Sequence, residues 1–103
     1  MKKTMYLEKS TIMNLINGEV KIYYRGKDDY VRTEPHYCEP WSRRRFAEKA
    51  VEDSIRFETE DRDAEKINDC TYITGRQDNP RIWFWLSRFE VMEFDVEVEE
   101  IKQ

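Results

Sequence analysis

Lys21, Tyr23 and Arg25 stand at alternate positions of the segment Val-Lys-Ile-Tyr-Tyr-Arg at residues 20–25. That spacing places all three on one side of an extended strand. Two cations around a phenol can hold a phosphate by charge-assisted hydrogen bonds and present an aromatic face to a base. The same row also suits an ordinary solvated strand face. Arg43-Arg44-Arg45 offers further phosphate contacts, each weakened by salt through counterion release, and fits plain surface charge equally. Trp83 and Trp85, two residues apart, are spaced to stack bases or to fill a core. His36, Cys38 and Cys70 have unrelated spacing and no fourth ligand beside them, so no metal site is expected, and nothing in the sequence calls for a cofactor.

The elements that must position these groups follow from periodicity. Residues 3–7 read as a short first strand. Ser10 can cap a helix whose apolar residues Ile12, Leu15 and Ile16 obey the i, i+3, i+4 rule, with Gly18 as its left-handed stop. Residues 20–25 then alternate, with Val20, Ile22 and Tyr24 toward a core and Lys21, Tyr23 and Arg25 outward. Gly26-Lys27-Asp28-Asp29 is turn chemistry, and residues 30–33 form a brief returning strand. Pro35 and Pro40 bracket an irregular stretch.

Phe46, Ala47, Ala50, Val51, Ser54 and Ile55 make a helical stripe over residues 42–56. The arginine triplet in its first turn opposes the helix dipole and calls for an acidic partner or a bound anion. Residues 58–69 carry six acidic and two basic side chains with little periodicity, which suits a loop or an exposed helix on which no core depends. Residues 71–74 form a strand, 75–80 a loop, and 81–89 an aromatic strand. The apolar parity changes near Glu90 to Met92, so a bulge is expected there. Beyond it Glu93, Asp95, Glu97 and Glu99 form an acidic face.

The 103 residues are enough for a single domain with one core. Charged and hydrophobic residues each make up 39%, with 14% aromatics, which favours a folded chain with long solvated faces. Net charge is −4, split as +3 over residues 1–57 and −7 over residues 58–103. Such a dipolar chain can steer a nucleic acid to its first half or a basic protein to its second. No run approaches the roughly 20 apolar residues of a membrane helix. The opening residues meet charge before a signal-peptide core, so the expected location is cytoplasmic, with no membrane partner and both cysteines reduced.

Met5-Tyr6-Leu7-Glu8-Lys9-Ser10-Thr11-Ile12-Met13-Asn14-Leu15-Ile16-Asn17-Gly18, followed by residues 20–25, resembles the opening of ASCH domains. These are small β-barrels related to the PUA RNA-binding fold. Leu15-Ile16-Asn17-Gly18 and Arg25 match the family's spacing over residues 5–25, and residues 81–94 look loosely like its closing strands. The resemblance implies a single α+β domain over residues 1–103, a PUA/ASCH-like barrel with two to three helices. It also implies RNA or a nucleotide as partner, bound through Lys21, Tyr23 and Arg25 with Arg76, Arg81 and Trp83 nearby. Val20 and Tyr23 stand where the family's amidohydrolases carry their catalytic Lys and Thr, so binding without turnover is expected. The alternative from another class is an acidic interaction or inhibitor domain that mimics nucleic acid and occupies a basic protein. A modified-nucleoside amidohydrolase is the third reading.

Overall fold

Antiparallel strand pairing forms the framework of this chain. The structure is a computed structural model that describes residues 1–78 and 81–99, with the backbone alone for residues 76–78 and 81–83. Lys2–Asn14 (β1) pairs antiparallel with Val20–Arg25 (β2) on one side and with Arg81–Glu97 (β6) on the other. Val31–Arg32 (β3) extends the β2 side, and Thr71–Asp78 (β5) and Glu65–Asn68 (β4) extend the β6 side. The resulting six-stranded antiparallel sheet has the order β3-β2-β1-β6-β5-β4. No pairing among the described residues joins β3 to β4.

The fold is α+β, with one helical run in place of the two to three helices expected. Arg44–Arg56 (α1) continues without a break into a π-helical turn, Phe57–Asp61, and a short 3-10 turn covers Pro35–Tyr37. The helix expected over residues 42–56 is therefore present. Arg44 finds the acidic partners its position calls for, Glu48 at 3.0 Å and Glu93 at 3.2 Å, while the Arg45 guanidinium lies over the Phe46 ring. No helix among the described residues is long and apolar enough to cross a membrane.

The helix expected after Ser10 is instead the second half of β1: Ser10 pairs with Tyr23 on one side and Phe89 on the other. An isolated two-turn helix is marginal, because nucleation fixes several residues for each early hydrogen bond. The β-branched Thr11 and Ile12 gain ladder partners on both sides as a strand. Gly18 does adopt a left-handed conformation, φ +75°, but it closes the β1–β2 hairpin. Asn14 Oδ1 accepts from the Ile16 and Asn17 amides within that turn. Gly18→Ala is expected to cost about 1–2 kcal/mol for the left-handed residue alone, measurable by urea denaturation.

Three further expectations change. Residues 58–69 are structured, with Glu58 buried beneath the sheet-covering turn and β4 paired to β5. The acidic composition hid this, because Glu58 is satisfied by Arg62 and Thr74. The bulge near Glu90 to Met92 is absent, since β6 stays in unbroken register with β1 from Trp85 to Glu97. Its apparent parity change marks a change of cover: Phe89 faces the helix, whereas Met92, Phe94 and Val96 lie on the other face. Residues 75–78, expected in a loop, belong to β5; Asn79 and Pro80 lie outside the described residues.

One strand of 17 residues spans roughly 58 Å at 3.4 Å per residue. The molecule is accordingly long, 64 × 23 × 20 Å, with a radius of gyration of 16.3 Å against about 13 Å for a compact domain of this length. Its core is small. Leu7 is wholly buried on one face of the sheet. On the opposite face Ala47 and Ala50 let α1 lie close to a surface rich in polar side chains, including buried Glu8, Thr74 and Ser87.

Candidate functional site

The sheet register sets Lys21, Tyr23 and Arg25 beside Ile12, Ser10 and Glu8 of β1. This is the face that α1 covers. The row expected to point outward is thus turned under the helix at its Arg25 end, whereas Val20 and Ile22, expected in the core, are exposed. The reversal has a local cause. Glu8 and Arg25 are a charge pair that gains a helix lid, and the helix carries Ser54 and the Ala50 carbonyl to complete their bonding.

The arrangement around Arg25 is a clasp of three elements. Its Nε lies 2.9 Å from Glu8 Oε1, an ion contact not aligned as a hydrogen bond. Nη2 donates to the Ala50 carbonyl at 3.0 Å and to Ser54 Oγ at 3.1 Å, and Nη1 reaches Asp29 at 3.1 Å. Ser54 in turn donates to Glu8 Oε2 at 2.6 Å. Burial pushes the Glu8 carboxyl above its ordinary range, with the Ser54 and Arg25 contacts opposing that shift in part. Both carboxyl oxygens are occupied, so Glu8 joins β1, β2 and α1 and offers no open position for a substrate. Arg25 is likewise consumed within the fold.

Two hollows lie end to end along this face and share Ile12. The first, about 360 Å³, sits beside the helix among Ser10, Tyr23, Phe57, Glu58 and Phe89, with the clasp as its end wall. The second, about 300 Å³, lies beyond the helix between Ile12, Asn14, Glu19, Lys21, Arg62 and Trp85. Lys21 is exposed and rests 3.9 Å from Glu19. The Arg62 guanidinium is 4.9 Å from the Phe57 ring centre and 5.8 Å from that of Trp85. Arg62 and Trp85 also border a third hollow of about 370 Å³ together with Asp61, Asp63, Thr74 and Gly75.

The three residues picked from the sequence therefore share a face but not a task. Lys21 lines the outer hollow, Tyr23 the inner one, and Arg25 holds the fold together. For Arg76, Arg81 and Trp83 the backbone alone is described: Arg76 pairs with Trp83, and Arg81 with Asp78. Their proposed contacts fall outside the described side chains. Sequence reasoning missed Arg62 and Asn14. Arg62 follows Glu58 by four residues, a spacing that signals an ion pair on a helix, but the acidic run around it masked that signal.

The remaining candidates have structural surroundings. His36 Nε2 lies 3.1 Å from Glu34 on the surface. Cys38 is buried, its thiol pushed up by desolvation, and Cys70 is also free. Among the described residues no three His, Cys, Asp or Glu side chains are grouped to hold a metal ion. No family model matches this chain, and neither the curated proteins nor the solved structures include a significant match to it.

Proposed function

We propose that this protein is a non-catalytic binding module for a nucleotide or a short single-stranded RNA, and that the outer hollow is its site. The observation that carries the proposal is the placement of Trp85 beside two cationic side chains, Lys21 and Arg62, around one cavity. An indole supplies a stacking surface for any base, while the cations serve the phosphates. Asn14 adds an amide capable of both donating and accepting. This site retains Lys21 from the row seen in the sequence and replaces Arg25 by Arg62.

The charge around the hollow limits the ligand. Glu19 lies on one side, and Asp61 and Asp63 lie beyond Arg62. Repulsion from these carboxylates disfavours a long polyanion and suits one or two nucleotides. Kinship with ASCH domains and their barrel is a separate part of the proposal, resting on Leu15-Ile16-Asn17-Gly18 and Arg25. The site does not depend on it. Turnover is not part of the reading: Val20 and Tyr23 occupy the positions of that family's catalytic pair, and Val20 has no group to activate.

Fluorescence polarisation with labelled mono-, di- and hexanucleotide RNA tests the reading. With two phosphates engaged, log K is expected to fall with log salt at a slope of about −1.4. Trp85→Ala is expected to lose about 1–3 kcal/mol of binding, and Lys21→Ala to make the salt slope shallower. Absence of binding at low salt, or binding unchanged in Trp85→Ala, would refute the assignment.

A further inference from the structure

At the end of the molecule away from the hollows, β1 and β6 continue as a two-stranded ribbon. The direction of each backbone group in β6 can be read from its neighbours. The Val98 amide donates to the Met1 carbonyl, so even-numbered residues point toward β1; the Phe89 amide donates to the Cys70 carbonyl, so odd-numbered residues point to the other side. Pairing with β5 ends at Arg88. Among the described residues, the amides and carbonyls of Val91, Glu93, Asp95 and Glu97 therefore face outward along an edge with no strand beside it. This free edge spans roughly 23 Å.

The two faces of that edge differ in chemistry. Glu93, Asp95 and Glu97 lie on one face and are exposed; Met92, Phe94 and Val96 lie half-buried on the other. The carboxylates have contacts of their own, Glu93 with Arg44, Asp95 with the Thr4 hydroxyl and Glu97 with the N-terminal amine. Glu93 and Glu97 nevertheless keep more than half of their side-chain surface in water.

We propose that this edge is a docking site for an extended segment of a partner protein that alternates basic and apolar residues. Added beside β6, such a segment would satisfy the outward backbone groups by strand addition. Its Lys or Arg side chains would lie beside Glu93, Asp95 and Glu97, and its apolar ones beside Met92, Phe94 and Val96. A second copy of this chain does not suit the edge. Antiparallel self-pairing about Phe94 sets Glu93 against Asp95, and shifting by one residue in either direction sets Glu93 against Glu93 or Asp95 against Asp95. Like charges directly opposite disfavour each of these registers.

The probe is a labelled eight-residue peptide alternating Lys and Val, titrated into the full chain with amide chemical shifts recorded. Binding is expected to perturb and protect the amides of Val91, Glu93, Asp95 and Glu97. A peptide N-methylated on the edge-facing residues keeps its charge but loses its backbone donors, and is expected to bind roughly tenfold or more weakly. Asp95→Pro removes an outward amide where the ladder to β1 does not use it, a placement proline tolerates on an edge, and is expected to abolish binding with the fold retained. Glu93→Gln with Asp95→Asn keeps every donor and is expected to reduce binding and its salt dependence. Equal binding by the N-methylated peptide, shift changes elsewhere, preference for a Glu-Val peptide, or self-association through this edge would overturn the proposal.

Discussion

Glu8→Ala is expected to destabilise the fold by about 3 kcal/mol, read from the midpoint of urea denaturation. Removing one member of a buried ion pair leaves the other charge without compensation, an effect of about 3–5 kcal/mol. The lower end applies because Arg25 keeps about a fifth of its side chain in water and retains the Ala50, Ser54 and Asp29 contacts. Replacing both partners, as Glu8→Gln with Arg25→Met, is expected to cost less than Glu8→Ala, since it leaves no buried charge. A larger loss in the double variant would contradict the clasp.

The same carboxyl gives the molecule a pH signature. Burial raises the Glu8 pKa, so folding takes up a proton and the group's contribution is fully present below its unfolded pKa. That contribution is lost as pH rises through the raised folded value. Asp28 has the opposite sign: its hydrogen bond to Arg32 holds its carboxyl low. Its contribution is present above the unfolded pKa and is lost as pH falls through the depressed folded value. Thermal denaturation across the acidic range is expected to show Glu8→Gln losing the decline toward neutral pH and Asp28→Asn flattening the acid limb. Unchanged profiles in both variants would remove this account.

Leu7→Ala is the other change with a large expected effect. Among the described residues Leu7 is the largest apolar side chain with no exposed surface. Gly26 shows how tightly the site is filled: a methyl group there would strike the Glu39 carbonyl and come within 3.0 Å of Leu7 Cδ2. Buried Leu→Ala changes cost about 2–5 kcal/mol, rising with the cavity left behind. In a chain of this size a loss of about 3 kcal/mol corresponds to a fall of roughly 15 °C in Tm. A fall under about 4 °C would mean that Leu7 is not the centre of its core.

The fold is legible in the sequence where one physical signal dominates. The stripe from Phe46 to Ile55 makes an amphipathic helix in any context, and the alternation of residues 20–25 makes a strand. It is not legible where tertiary partners decide. Ile12, Leu15 and Ile16 carry helical spacing, yet Ser10 and Thr11 pair across both β2 and β6, a choice invisible without those strands. The orientation of β2 depends on tertiary partners in the same way. Ranking Val20 and Ile22 as inward assumes that the core is apolar, but the helix here seals a face whose buried groups are largely polar. The acidic character of residues 58–69 likewise conceals Arg62, which lines the outer hollow together with Lys21.

The continuity of β6 has a consequence for how two ligands would coexist. Trp85 and Glu97 belong to the same uninterrupted strand, so about 40 Å of ladder separates them. Occupants at the two extremities would neither touch nor compete, and affinity at one should be indifferent to saturation of the other. If both proposed sites are filled, the chain would serve as a spacer, setting the distance between a docked segment and a bound nucleotide.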